Sequence, residues 1–159
     1  MKTRKSWREK LADDKNLPKV EPLDAKAAKR WGGRTLAIPA PREIDALMRR
    51  VPPKKLTTIN ELRAAAARQH QAEVGCPITT GIFSWIAAHA AAEAAMAGEK
   101  KITPYWRTLK KGGEINPKYP GGVEGLALRL RAEGHNIVAK GKRMLVADYD
   151  RKLFTTPSQ

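Results

Sequence analysis

The stretch from Thr57 to Gly98, TTINELRAAAARQHQAEVGCPITTGIFSWIAAHAAAEAAMAG, decides how the chain folds. Thr57 or Thr58 can cap a helix, and Glu61 follows Thr58 by three residues, a capping-box spacing. Leu62 and Ala64–Ala67 carry that helix to about Gln71, and Val74-Gly75-Cys76-Pro77 reads as a turn. A second helix is predicted from Thr79 or Thr80 to Ala97, closed by Gly98. Helix, short glycine-containing turn, helix is the outline of a helix-turn-helix. After Ile82, Phe83, Trp85 and Ile86 the second helix is rich in alanine, which favours helix and also lets another surface come close, a neighbouring helix or a nucleic-acid groove. Its first turn, Thr79-Thr80-Gly81 and then Ser84, is small and polar, which a core helix does not require.

Outward from this core, Arg42 to Arg50 places Ile44, Leu47 and Met48 at helical spacing, and Val51-Pro52-Pro53 stops it. Residues 1–40 read as a basic extension interrupted by Pro18, Pro22 and Pro39, with a short helix from Asp24 to Trp31 and a strand over Thr35–Ile38. Downstream, Val123 to Glu133 is predicted helical and ends at Gly134. Ile137–Ala139 and Met144–Val146 bracket Lys140-Gly141-Lys142-Arg143, a hairpin with a basic tip. Beside a helix-turn-helix such a hairpin would be a wing gripping phosphates; elsewhere it is a solvated turn. The expected organisation is an extension over residues 1–40, a helix-turn-helix domain over 41–136, and a basic hairpin and tail over 137–159.

Charge narrows the function. The chain has 31 Lys and Arg against 16 Asp and Glu, a net charge of +15, with an isoelectric point near 10.3. Residues 1–50 and 99–159 each carry net +7, while residues 51–98 carry only +1. An excess of this size opposes compact folding through self-repulsion, and its usual use is attraction to a polyanion. No segment joins a basic face to a strong apolar one, so a membrane surface is disfavoured, as are a transmembrane span and a secretory signal. The one cysteine, Cys76, excludes an internal disulfide and suits a reducing cytoplasm, and three scattered histidines offer no metal-ligand spacing. The expectation is a cytoplasmic, nucleoid-associated monomer with no metal or cofactor, whose partner is double-stranded DNA.

Several segments, in order from about residue 42 to 135, resemble the DNA-binding, active-site domain of the alkylguanine-DNA alkyltransferases, the methylated-DNA–protein-cysteine methyltransferases. Val51-Pro52-Pro53-Lys54-Lys55-Leu56-Thr57-Thr58 resembles that family's Ile/Val-Pro-x-Gly-Lys-Val-Thr/Ser-Thr/Ser stretch. Pro104-Tyr105-Trp106-Arg107 falls where the family has Pro-Cys-His-Arg, and Tyr119-Pro120-Gly121-Gly122-Val123 resembles Tyr-Ser-Gly-Gly-Leu. Arg131-Ala132-Glu133-Gly134 resembles the helix end that carries the family's active-site glutamate. The resemblance implies a mainly α, winged helix-turn-helix-like domain with a small C-terminal β-hairpin, reading DNA from the minor groove.

The departures remove the chemistry. In the family the cysteine accepts the alkyl group, activated through a histidine that the glutamate orients. Here those two positions are Tyr105 and Trp106, so Glu133 is expected to lack the partner it would act through. A phenol with a pKa near 10 and no adjacent base is a poor nucleophile at neutral pH. The family's intercalating arginine aligns with Gly81, and its phosphate-turning tyrosine with Ile59. The alkyltransferase-like proteins also replace the cysteine; they bind alkylated guanine without repairing it and flag it for excision. By that resemblance Pro104, Tyr105, Trp106, Tyr119 and Glu133 would line a lesion pocket, with Tyr105 stacking on an extruded base. Alternatively, Tyr105 and Trp106 merely fill it.

The expected DNA contacts are Lys54, Lys55, Thr57, Thr58, Thr79, Thr80, Gly81, Ser84, Arg107, Lys110, Lys111, Lys140, Lys142 and Arg143. The function this sequence points to is non-catalytic DNA binding with recognition of alkylated or otherwise modified bases, in company with repair proteins. Two alternatives stay open: alkyl transfer to a relocated acceptor, Cys76, and general architectural binding of nucleic acid.

Overall fold

In the computed structural model residues 4–155 are described; the first three residues of the basic start and the tail beyond Thr155 lie outside them. The elements in order are α1 (Trp7–Ala12), β1 (Lys19–Pro22), α2 (Ala25–Trp31), β2 (Thr35–Ile38), α3 (Pro41–Arg49), β3 (Thr57–Thr58), α4 (Ile59–Gln69), β4 (Val74–Gly75), α5 (Pro77–Met96), β5 (Thr108–Leu109), α6 (Gly122–Ala132), β6 (Ile137–Lys140) and β7 (Arg143–Val146). The described residues are mainly helical and form three small sheets, ordered β1-β2-β4, β3-β5 and β6-β7. No helix among the described residues is long and apolar enough to cross a membrane.

The 20-residue α5 is the axis of the fold. Its inner face, Phe83, Ile86, Ala87, Ala90, Ala91 and Ala94, is buried, and α1, α3 and α4 pack around it. Small side chains there let α3 approach, so that Ile44 and Met48 are fully buried. Thr58 caps α4 as its spacing predicts, its hydroxyl accepting from the Glu61 N–H at 3.3 Å. The link between α4 and α5 is more than a turn. Val74 and Gly75 form a short strand parallel to Leu36 and Ala37, and α5 begins at Pro77, two residues earlier than predicted, with Cys76 as its cap. Gly75 has a packing reason: a Cβ there would lie 2.2 Å from the Arg63 carbonyl oxygen, while the Arg63 Nε–H donates to the Gly75 oxygen at 3.0 Å.

Residues 4–40 are built into the body instead of trailing from it. Trp7 stacks on His89 at 4.4 Å and meets Trp85 edge-on at 4.7 Å. The Glu93 carboxylate accepts from the free Trp7 and Arg8 N–H groups at the start of α1. β1 and β2 pair antiparallel from Lys19↔Ile38 to Pro22↔Thr35. Near the other terminus, β6 and β7 form the hairpin with Lys140 opposite Arg143. That hairpin packs chiefly on α6 and on the Lys111–Gly113 turn, with the Ile115 N–H donating to the Met144 oxygen. The hairpin thus has α6 and the 111–115 loop as its main neighbours, where a wing would have stood beside α4 and α5.

Candidate nucleic-acid interface

The segment Pro104–Tyr119 connects two different environments. At its start, Tyr105–Arg107 forms a single tight helical turn, and Thr108-Leu109 then runs parallel to Thr57-Thr58. This pairing sets the Trp106 and Arg107 side chains beside the end of α6, where Glu133 collects them. The Trp106 indole N–H donates to Glu133 Oε2 at 2.9 Å, and Arg107 donates to the same carboxylate from Nε and from its terminal nitrogen at 2.8 Å. Arg107 also donates to the Val51 carbonyl at 2.8 Å, and the Lys54 N–H reaches Glu133 Oε1 at 3.1 Å. Partial burial opposes ionisation of Glu133, but the hydrogen bonds from Arg107, Trp106 and Lys54 outweigh it and hold the carboxyl below its usual range.

Glu133 therefore has partners after all. Trp106, standing where the resemblance puts a histidine, satisfies the carboxylate with an indole N–H. An indole nitrogen donates but accepts no proton, so this pair cannot relay one. Arg107 is spent on the same carboxylate and on Val51, with its side chain 11% exposed, and so braces the protein interior where a DNA contact was expected. Tyr105 is buried, with its ring edge-on to Trp106 and Tyr119. Tyr119 is buried and donates its hydroxyl to Ser84 Oγ at 3.0 Å; burial pushes its pKa up to about 12. Pro104 is also buried. The five residues expected to line a lesion pocket are thus brought together, but as a packed cluster. Arg129, which the sequence reading did not single out, covers the Trp106 ring at 4.3 Å.

Four hydroxyls expected on DNA are likewise committed to the protein. Thr57 lies buried in its strand, Thr58 caps α4, the Thr80 hydroxyl donates to the Cys76 carbonyl at 2.6 Å, and Ser84 donates to the Gly81 carbonyl while accepting from Tyr119. A short hydroxyl side chain in a helix readily bonds the carbonyl three or four residues back, which removes it from the surface. Thr79 is half-buried, its Oγ1 without a partner among the described residues. Cys76 is 5% exposed and packed with Leu36 and Val74, so its sulfur is closed to an alkylated base. By contrast Lys54, Lys55, Lys110, Lys111, Lys140, Lys142 and Arg143 are exposed, with Lys110 and Arg143 flanking Glu114 at 3.9 and 3.7 Å.

The open environment lies at the other end of the segment. A groove of about 410 Å³ runs between the first turns of α5 and the Lys110–Lys118 loop, lined by Ile78, Gly81, Ile82, Trp85, Lys110, Asn116, Pro117 and Lys118. Ile78, Gly81, Ile82 and Trp85 recur at three and four residues, one stripe of the helix. Ile78 is 62% exposed and Ile82 47%, although both are large and apolar. The same stripe continues into His89, and there Trp7 covers it; the His89 Nε2 meets the Lys118 carbonyl at 3.1 Å and ties the loop to α5. The sequence reading named Gly81 and Lys110 in this groove and missed Ile78, Ile82, Trp85, Asn116, Pro117 and Lys118. The signal was the α5 pattern itself, which is apolar on more faces than one core can cover.

No protein-family model and no curated protein matches the chain. Two solved structures align with 73% of it and with 94% of their own chains. One is S. pombe Atl1 in complex with damaged DNA containing O6-carboxymethylguanine, at 14% identity and a TM-score of 0.49. The other is S. pombe ATL in complex with DNA, at 15% identity and a TM-score of 0.46.

Proposed function

We propose that this protein binds double-stranded DNA without catalysis, holding the duplex against the first turns of α5 and the Lys110–Lys118 loop, and that it recognises alkylated or otherwise modified bases there. The observation that carries this reading is the groove: an apolar recess with lysines at its rim on a protein of net charge +15. Phosphates would be held by Lys110, Lys111 and Lys118, which positions the duplex without reading its sequence. A modified base would be held in the groove floored by Trp85, in place of the cluster at Tyr105. A non-catalytic reader repairs nothing by itself, so an excision-repair partner follows from the same reading.

The test is fluorescence anisotropy at one fixed, near-physiological salt concentration, with two duplexes identical except for a single 6-O-methylguanine. Tighter binding to the lesion by about tenfold, equivalent to about 1.4 kcal/mol, is the expected result. Equal binding reduces the protein to a general duplex binder, the reading favoured by the exposed cations of the Lys140–Arg143 tip. No binding to either duplex overturns both. Within the bound case, replacing Lys110 and Lys118 by alanine lowers the log–log salt slope by about 0.9 for each phosphate that is no longer neutralised.

A further inference from the structure

The β6–β7 hairpin carries more positive charge than its fold can use. Between Glu133 and Asp148 the chain has no acidic residue, while Lys140, Lys142 and Arg143 occupy the tip around Gly141. Lys140 stands directly opposite Arg143 in the strand register, and like charges placed so destabilise a pair of strands. Gly141, at φ +64°, begins the two-residue turn, so the three cations are displayed close together. All three are exposed, and among the described residues Arg143 has one carboxylate partner, Glu114. What anchors the hairpin lies lower down, where Val146 is buried and Met144 and Leu145 are half-buried. The charges at the tip take no part in that anchoring.

The tip is also fastened to the rim of the groove. Glu114 is bridged through its backbone to Lys110 on one side and to Leu145 of β7 on the other. The Lys110 N–H donates to the Glu114 carbonyl at 2.8 Å, and the Ile115 N–H donates to the Met144 carbonyl at 2.9 Å. One side-chain oxygen, Glu114 Oε1, lies 3.9 Å from Lys110 Nζ and 3.7 Å from Arg143 Nη1. A single carboxylate therefore keeps a cation of the groove and a cation of the hairpin side by side, and offsets only one of them. Resting on the reading that the Lys110–Lys118 loop meets duplex DNA, we propose that Lys110, Arg143, Lys140 and Lys142 form one phosphate-binding track. Along it the backbone of the same duplex runs out of the groove and over the hairpin. The occupant follows from the charge: cations that repel one another are relieved by a polyanion, and a duplex supplies one negative charge about every 1.7 Å of its axis. Contacts made to phosphates alone add affinity without adding base selectivity.

The experiment measures duplex affinity of the full chain by anisotropy over a series of salt concentrations, with and without a modified base in the duplex. The Lys140→Ala, Lys142→Ala, Arg143→Ala variant should flatten the log–log salt slope by about 0.9 for each phosphate no longer neutralised, and by at least two such steps. Affinity should fall by the same factor for both duplexes. Because the substitution removes a repulsion, the hairpin keeps its fold; Lys142→Gln, at the turn alone, should flatten the slope by about one step. The control removes the same charge elsewhere: Lys26→Ala, Lys29→Ala, Arg30→Ala on the exposed face of α2 should leave the slope within one step of the wild type. A slope unchanged in the hairpin variant overturns the track. So does an equal loss in the α2 variant, which would make net charge the cause, or a loss that differs between the two duplexes. Absence of wild-type binding to either duplex overturns the DNA reading instead, which keeps the two failures apart.

Discussion

The Glu133 cluster and the Ile78 groove draw on the same segment, residues 104–119, yet their energetics are opposite. In the cluster a partly buried carboxylate accepts from four N–H donors, of Lys54, Trp106 and Arg107, and the Trp106 ring packs edge-on against Tyr105. In the groove, apolar side chains stand in water with cations beside them, an arrangement that folding does not reward. The contrast teaches that the region best matched by the motif resemblance is here a structural clamp, and that the region left open is the one available to a partner.

That contrast can be broken. The largest effect is expected from Glu133→Ala, which strands the Arg107 guanidinium at 11% exposure and should cost about 3 kcal/mol of stability. The cost is read by denaturant unfolding, with DNA affinity of the folded fraction unchanged. A loss of lesion preference without a loss of stability would return the cluster to the binding site. Trp7→Ala comes next. Trp7 is half-buried against Trp85 and His89, so its removal should cost about 2 kcal/mol, and it frees His89 and through it the Lys118 loop. Unlike Glu133→Ala it should weaken DNA binding too, because it uncovers the stripe that floors the groove. If binding is indifferent to Trp7, α1 supports the fold alone.

The smallest effect is with pH. Burial, with Lys152 nearby, holds the His135 imidazole below its ordinary value of 6.5, and Glu133 is held below its ordinary value of 4.5. For both groups the unfolded chain takes up protons at higher pH than the folded one. Stability is therefore full above about pH 6.5 and declines on acidification, first through His135 and then, below about pH 4.5, through Glu133. Each step is limited to about 1.4 kcal/mol per unit of pKa difference. Thermal midpoints at pH 7 and 5.5 should differ in the wild type and agree in His135→Asn. The groove, which holds neither His135 nor Glu133, should keep its affinity in the folded fraction over the same range.

The helices were legible because local rules set them: Thr58 caps where its spacing says, Gly32 ends α2 with a left-handed backbone, and Ile44, Leu47 and Met48 repeat at helical intervals. The hairpin strands were legible for the same reason. The parallel pairings β2–β4 and β3–β5 were not, because each rests on two residues whose partners lie some 40 to 50 positions away in sequence. Residues 1–40 looked like an extension because their prolines and charges carry no sign of the distant Trp85, His89 and Glu93 that hold Trp7 and Arg8 of α1.

At the site, the sequence by itself determined what chemistry is absent and what charge is present. No side chain at positions 105 and 106 can act as a thiol and its base, and +15 is a composition, not an arrangement. Tertiary structure alone decided which residues face outward. Ser84 and Thr80 are polar yet buried, and Ile78 and Ile82 are apolar yet exposed, because exposure depends on what the remainder of the chain lays against each turn of α5. The physical reason is that α5 is apolar on more than one face while the chain has one α1 to cover it, and only the packing shows where that cover stops.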